Sequence, residues 1–392
     1  MPLNIYLDYA ATTPVHPQVL EAMMPYFVEE FGNPSSLHTK GQSARRAVDT
    51  ARRQCAAALN SAPREILFTS GGTESDNLAL FGVTEGVESP HIISVKTEHE
   101  AVLEPLKKLE KKGAQVTLLN VDSQGLIDLE ELRAALTPQT TLVTVMWANN
   151  EIGVIQDIPA IATLIQDYKK ELGRTAKQPP FLHTDACQAA GALDLSLSAA
   201  GVDLLTLNGS KIYGPKGVGL LYVRKGVPLS PQIVGGGQEH HRRSGTSNVP
   251  GIVGLAKALE LANAEREIEA TRLTSLRDAF IKKVNTELEG ISLNGHPILR
   301  LPNNINLTVQ GIEGEILLMR LDQAGIYASA GSACTAGNAE PSHVLLALGR
   351  SKQEAFGAVR FSLGKSTTAE NLNKVADEFI KIVNELRAES GR

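Results

Sequence analysis

Residues 207–219 read "LNGSKIYGPKGVG". An apolar strand ends in this stretch, and Lys211 stands among small residues in a turn rich in Gly and Pro. Working outward, short apolar runs alternate with helix-like segments from about residue 63 to 225. The runs are EILFTS, HIISVK, QVTLLN, TLVTVMW, PFLHTD, DLLTLN and VGLLYV. Between several of them lie helical stretches such as AVLEPLKKLEKKG and IPAIATLIQDYKKELG, the second closing on Gly173 as a helix stop. This alternation specifies an α/β fold, a mostly parallel seven-stranded sheet sandwiched by helices. Ligands of such sheets gather at the carboxyl ends of the strands.

After GGGQEHHRRSGTSNVPG the pattern changes. Leu273, Leu276, Phe280, Val284 and Leu288 recur at helical spacing until Gly290. Then NNINLTVQG reads as a strand, EGEILLMRLDQAG as a helix and VRFSLG as another strand. The expected division is a large domain over 15–260 and a smaller α+β domain made of 1–14 with 261–392. The first dozen residues are too few to fold alone and are expected to pack on the small unit.

Bulk properties narrow the function. With 392 residues, 42% hydrophobic and 21% charged, the chain is an ordinary globular protein long enough for more than one core. A formal charge of −5 argues against a general nucleic-acid surface. No apolar run approaches a membrane span, and the N-terminus has no signal-peptide pattern. Cys55, Cys187 and Cys334 are odd in number and far apart, which suggests neither a disulfide framework nor a metal site and points to a reducing cytoplasm. Adjacent His240 and His241 diverge and read as loop residues.

Several residue types point to pyridoxal 5'-phosphate (PLP). A lysine amine such as Lys211 can condense with a carbonyl when burial lowers its proton affinity, although a lone lysine in a turn is more often a surface residue, as the nearby Lys216 illustrates. Asp185 stands where the run FLHTD stops, facing a ligand opposite a pyridine nitrogen, or else capping a helix that starts near Ala186. Gln188 lies about one turn further. In TSGGTESDN, residues 69–77, two glycines precede a helix expected near Thr73, and a phosphate suits the N–H groups of that turn. His99 follows a strand and either stacks on a planar ring, shuttles a proton or is a partly exposed loop histidine; Asn149 and Asn150 follow another strand. Arg243, Ser244 and Thr246 in RSGTSN offer anion contacts. Arg360 lies on an apolar strand, where it binds either a substrate carboxylate or an internal acid. Finally, Cys334 sits in AGSACTAG, small residues that suit a moving loop and a reactive thiol.

Taken together, YLDYAATTP, FGNPSS, TSGGTESDN, TEHEAVL, NNEIGVIQDI, KIYGPKGVG, RRSGT and GSACTAGNAEPSHVLLALG resemble the cysteine desulfurases of the NifS/IscS type, within the class V aminotransferases. The resemblance covers nearly the whole chain. It implies the PLP fold type I, a homodimer, and PLP held on Lys211. By position it implies cofactor contacts from Gly72, Thr73, Glu74, His99, Asn150, Asp185, Gln188, Asn208, Ser210 and Thr246, the last reaching the partner subunit's phosphate. It further implies Lys211, His99 and Cys334 as catalytic residues, and Arg360, Asn150 and Asn33 as substrate contacts, with L-cysteine as substrate and no metal.

One departure stands out. Relatives usually have His immediately before the lysine and Ser two residues before that; here the stretch is Asn208-Gly209-Ser210-Lys211. Sulfur acceptors implied by the family are iron–sulfur scaffolds and other acceptor proteins. The chain ends soon after its last expected helix, without the extended tail by which some relatives dock a scaffold. The rival readings are selenocysteine lysis, which the same residues would serve, and transamination, which needs no cysteine loop. A non-catalytic scaffold is the remaining class, and the intact Lys211, Asp185, Thr73 and Cys334 argue against it.

Overall fold

A computed structural model describes residues 3–330 and 340–389. All seven expected strands form one sheet. They are β2 (Ile66–Thr69), β3 (His91–Val95), β4 (Gln115–Leu119), β5 (Thr140–Thr144), β6 (Phe181–Asp185), β7 (Leu204–Asn208) and β8 (Gly219–Val223). Their order is β2-β8-β7-β6-β5-β3-β4. Pairs among β3 to β7 are parallel, whereas β8 runs antiparallel to both β2 and β7.

Alternation along the strands explains the sandwich. Ile66, Phe68, Val143, Leu182, Leu205 and Leu220 enter one core, while Leu67, Leu142, Phe181, Leu204 and Leu221 enter the core on the opposite face. Each such side chain fully removed from water contributes about 1.5–3 kcal/mol. A strand covered by helices on both faces therefore needs a continuous apolar run, which is what these segments have.

The helix over Val249–Glu287 is longer than the periodic stretch that announced it. Its residues Val249, Ile252, Leu255 and Leu259 pack in the first core; Leu273, Phe280 and Val284 pack in a separate one. That second core surrounds β9 (Ile291–Leu293), β10 (Asn304–Val309) and β12 (Ala358–Ser362), an antiparallel sheet ordered β12-β10-β9. Phe280, Phe361 and Phe379 meet there, with centroids 5.3 to 6.5 Å apart. The N-terminal strand β1 (Ile5–Tyr6) pairs in parallel with β11 (Ile326–Tyr327), and Ile5 and Leu7 enter this same second core.

Candidate active site

A cavity of about 250 Å³ opens at the carboxyl ends of the parallel strands. It is lined by Gly72, Thr73, His99, Asn150, Asp185, Gln188, Asn208, Lys211 and Arg360 among the residues expected there. Six segments far apart in sequence thus converge where a parallel sheet places its ligand.

Lys211 follows β7 on a single short helical turn, Gly209–Lys211. Its Nζ donates to the carbonyls of Ala10 and Ala11 at 2.8 and 2.5 Å. Burial lowers the pKa of this amine, so neutral lysine is more available here than on a surface. The neighbouring Lys216 instead donates to Thr13 O and does not line the cavity. Gln188 Nε2 also donates to Ala10 O, at 2.9 Å. The segment Asp8–Ala11 is therefore a rail of acceptors along one side of the site.

Asp185 ends β6, and its Oδ1 accepts the Cys187 backbone N–H at 2.8 Å. The alternative role as a helix cap is half met: the local turn forms, but no regular helix follows Ala186. His99 caps the helix Glu100–Glu110, its Nδ1 accepting the Ala101 N–H at 3.0 Å. That bond orients the ring and leaves Nε2 as the protonated nitrogen. Asn150 lines the cavity, while Asn149 is buried behind it, donating to Thr97 O and accepting from the N–H groups of Glu151 and Ile152.

The helix Gly72–Thr84 starts at the cavity wall. Its first amides have no intrahelical partner and carry the positive end of the helix dipole. A Cβ at Gly72 would stand 2.9 Å from Cys187 Sγ and 3.2 Å from Asn208 Nδ2, so glycine keeps this cradle open. Amine, carboxylate, flat imidazole and anion cradle together form a donor set that fits a planar, phosphate-bearing aldehyde such as PLP.

Four expected residues are not brought to the cavity wall. Glu74 pairs with Arg243, at 2.8 and 3.1 Å, and its Oε2 accepts the Ser70 N–H. Burial alone would raise its pKa, but the bonds from Arg243 and Ser70 hold it below the usual carboxylate value. Ser210 Oγ turns to Asn208 Oδ1 at 3.3 Å. Thr246 lines a separate hollow with Phe68, Ser70 and Arg243. Asn33 Oδ1 closes a local turn on the Ser35 N–H. Cys334 and the rest of its small-residue loop lie outside the described residues.

Two cavity residues carried no sequence signal. Asp76, on the helix Gly72–Thr84, is 1% exposed and its Oδ1 has no partner. Its pKa is raised well above the usual carboxylate value by burial and then by the charge of Asp185. His183, 3.6 Å away, offers no countercharge, since burial lowers its pKa to about 4. The second residue is Cys187, whose thiol burial pushes well up, then Asp185 further. It is a neutral wall, not a nucleophile.

Residues 5–375 match the family model described as aminotransferase class-V. A cysteine desulfurase IscS from Dictyoglomus turgidum is 46% identical over 389 residues, covering 99% of this chain and 96% of the relative. Another from Methanosarcina thermophila is 46% identical over 386 residues, covering 98% and 93%. Among solved structures, a NifS-like protein superposes with a TM-score of 0.89 at 38% identity, covering 98% of this chain and 100% of that one. The structure "SspA in complex with cysteine" gives 0.79 at 36% identity, covering 92% and 98%.

Proposed function

We propose, because the chain belongs to the aminotransferase class-V family, that it is a PLP-dependent cysteine desulfurase. It takes sulfur from L-cysteine, leaves L-alanine and carries the sulfur as a persulfide on Cys334. The convergence of Lys211, Asp185 and Arg360 on one cavity carries this reading. The names of the full-length relatives and the cysteine complex of a similar structure support it.

Bound PLP supplies an electron sink for the pair left when a proton leaves the substrate Cα. Lys211 holds the cofactor and then takes that proton at Nζ, a role favoured by its lowered proton affinity. Asp185 would keep a proton on the pyridine nitrogen, and Gln188 and Asn150 would hold the ring substituents. His99 would pack against the ring, and Gly72 with Thr73 would hold the phosphate. Arg360 binds the substrate carboxylate. The Cys334 thiolate bonds to the substrate sulfur as the Cβ–S bond breaks, so enzyme thiol plus L-cysteine gives enzyme persulfide plus L-alanine.

The same proposal includes a homodimer, supported by the exposed apolar side chains Met24, Phe27, Val28, Phe31 and Leu37. It includes delivery to an iron–sulfur scaffold or other acceptor protein, and a cytoplasmic location whose reducing conditions keep Cys334 a thiol. Among the described residues no helix is long and apolar enough to cross a membrane. The division into 15–260 and 1–14 with 261–392 is supported by the separate apolar cores.

The test incubates purified holoprotein with L-cysteine, measuring alanine and protein-bound persulfide. We expect both from the wild type. Cys334→Ala should keep the visible absorbance of bound PLP and yield neither product. Alanine formed at the wild-type rate by Cys334→Ala would refute the sulfur-carrier role. Absence of alanine from the wild type would refute the activity.

A further inference from the structure

Arg360 sits on β12, a strand buried along its whole length, and its side chain is 2% exposed. A guanidinium so placed must be paired to stay ionised without a large penalty. Its Nη2 donates to Asp8 Oδ1 at 2.7 Å and its Nη1 to the Asn150 carbonyl at 2.8 Å. Its Nε is buried and has no partner. Two corners of the planar fork are thus tied to the chain, while Arg360 still lines the cavity with N–H groups that those two bonds do not use.

The position of Asp8 is set by the strand that bears Arg360. Ser362, also on β12, donates its N–H to Leu7 O at 2.7 Å and accepts the Ala10 N–H on its Oγ at 2.8 Å. Tyr6 OH donates to the Asp8 carbonyl at 2.9 Å, and the Ala11 N–H donates to the same oxygen at 3.0 Å. Asp8 is therefore braced on both sides of its own backbone, and its carboxylate meets Arg360 from a fixed direction.

We propose that Asp8 is a positioning residue that aims the unused N–H groups of Arg360 at the substrate and thereby sets the site's preference for a free α-carboxylate over a neutral α-amide. An anchored guanidinium loses little freedom when a carboxylate arrives, so more of the interaction appears as affinity. Five donors allow Arg360 to keep Asp8 and Asn150 O while its remaining N–H groups donate to a new partner. Without Asp8 the fork rotates about Nη1 and its aim is lost. This inference rests on the reading of Arg360 as the carboxylate contact.

The experiment uses holoenzyme, one pair of ligands and the substrate L-cysteine. Dissociation constants for L-alanine and L-alaninamide are read from the visible absorbance of bound PLP, and KM and kcat are measured for L-cysteine. Asp8→Asn removes the charge and keeps the size. We expect its amide-to-acid ratio of dissociation constants to fall about tenfold, the scale of one hydrogen bond to a charged group. KM for L-cysteine should rise by a similar factor, with kcat within about threefold.

Asp8→Glu, which keeps the charge, should retain a ratio within about threefold of wild type, and it serves if Asp8→Asn fails to bind PLP. A tenfold loss of ratio in Asp8→Glu would overturn the charge-based role. If Asp8 only braces the fold, both ligands weaken together and the ratio stays; if it competes with substrate, the ratio rises. Either result overturns the proposal. Arg360→Ala separates the layers, because an unchanged ratio in that variant refutes the carboxylate role of Arg360 itself.

Discussion

Replacing Asp76 by Asn keeps the shape of the side chain and removes one titratable proton beside Asp185. The native carboxyl is 1% exposed, with one oxygen unpartnered and a neutral imidazole as its neighbour. Burial and the nearby charge raise its pKa, so the folded protein retains a proton that the unfolded chain loses above its ordinary value near ~3.9. Stability at Asp76 therefore falls as pH rises from that value toward the raised native one. Asn carries no such dependence. One proton is involved, so across this window the folding equilibrium constant of Asp76→Asn should gain on wild type by up to about tenfold per pH unit. Glu98 and Cys187, also buried with raised pKa values, are present in both proteins, and the substitution relieves only the part of the Cys187 shift that the Asp76 charge contributes. Urea unfolding at several pH values from about 5 to 8 measures the difference. The fluorescence of Trp147, the single tryptophan and a member of the large core, reports the transition. A difference that stays constant with pH refutes the buried neutral acid. A difference that shrinks as pH rises means that Asp76 is ionised and favourably paired in the native protein.

Lys211→Ala should fold but lose all PLP absorbance after gel filtration, while Lys216→Ala keeps it; retention by Lys211→Ala would show that another amine holds the cofactor. Gly153→Ala should cost about 2 kcal/mol or more and weaken PLP retention, as measured by unfolding and by dialysis. Gly153 has φ +74°, and an added Cβ would lie 2.7 Å from Asn304 Cβ, disturbing the Asn304 bond to Glu151 O beside Asn150. Wild-type stability in that variant would show that the turn relaxes freely.

Much of the site was legible because strand ends announce themselves locally. The run FLHTD stops on Asp185, and DLLTLN stops just before Lys211, so a reader of the sequence places both at the ligand edge of a parallel sheet. The glycines before Thr73 mark the anion cradle in the same way. Glu74 was less legible: it shares the cradle's turn, but its carboxylate is drawn to Arg243 from a segment 169 residues away. Asp76 stands two residues further along the same helix and is turned inward, which no local pattern distinguishes from a solvated acid.

The sequence by itself determined the order of elements, the apolar faces of the strands and the residue types at their ends, because periodicity and turn chemistry act over a few residues. Tertiary structure alone decided which polar groups face one another. Asp8 meets Arg360 across 352 positions, and Lys211 meets Ala10 O across 201. Burial and short-range electrostatics depend on distance in space, so the charge state of Asp76 and the aim of Arg360 exist only once the chain has closed around them.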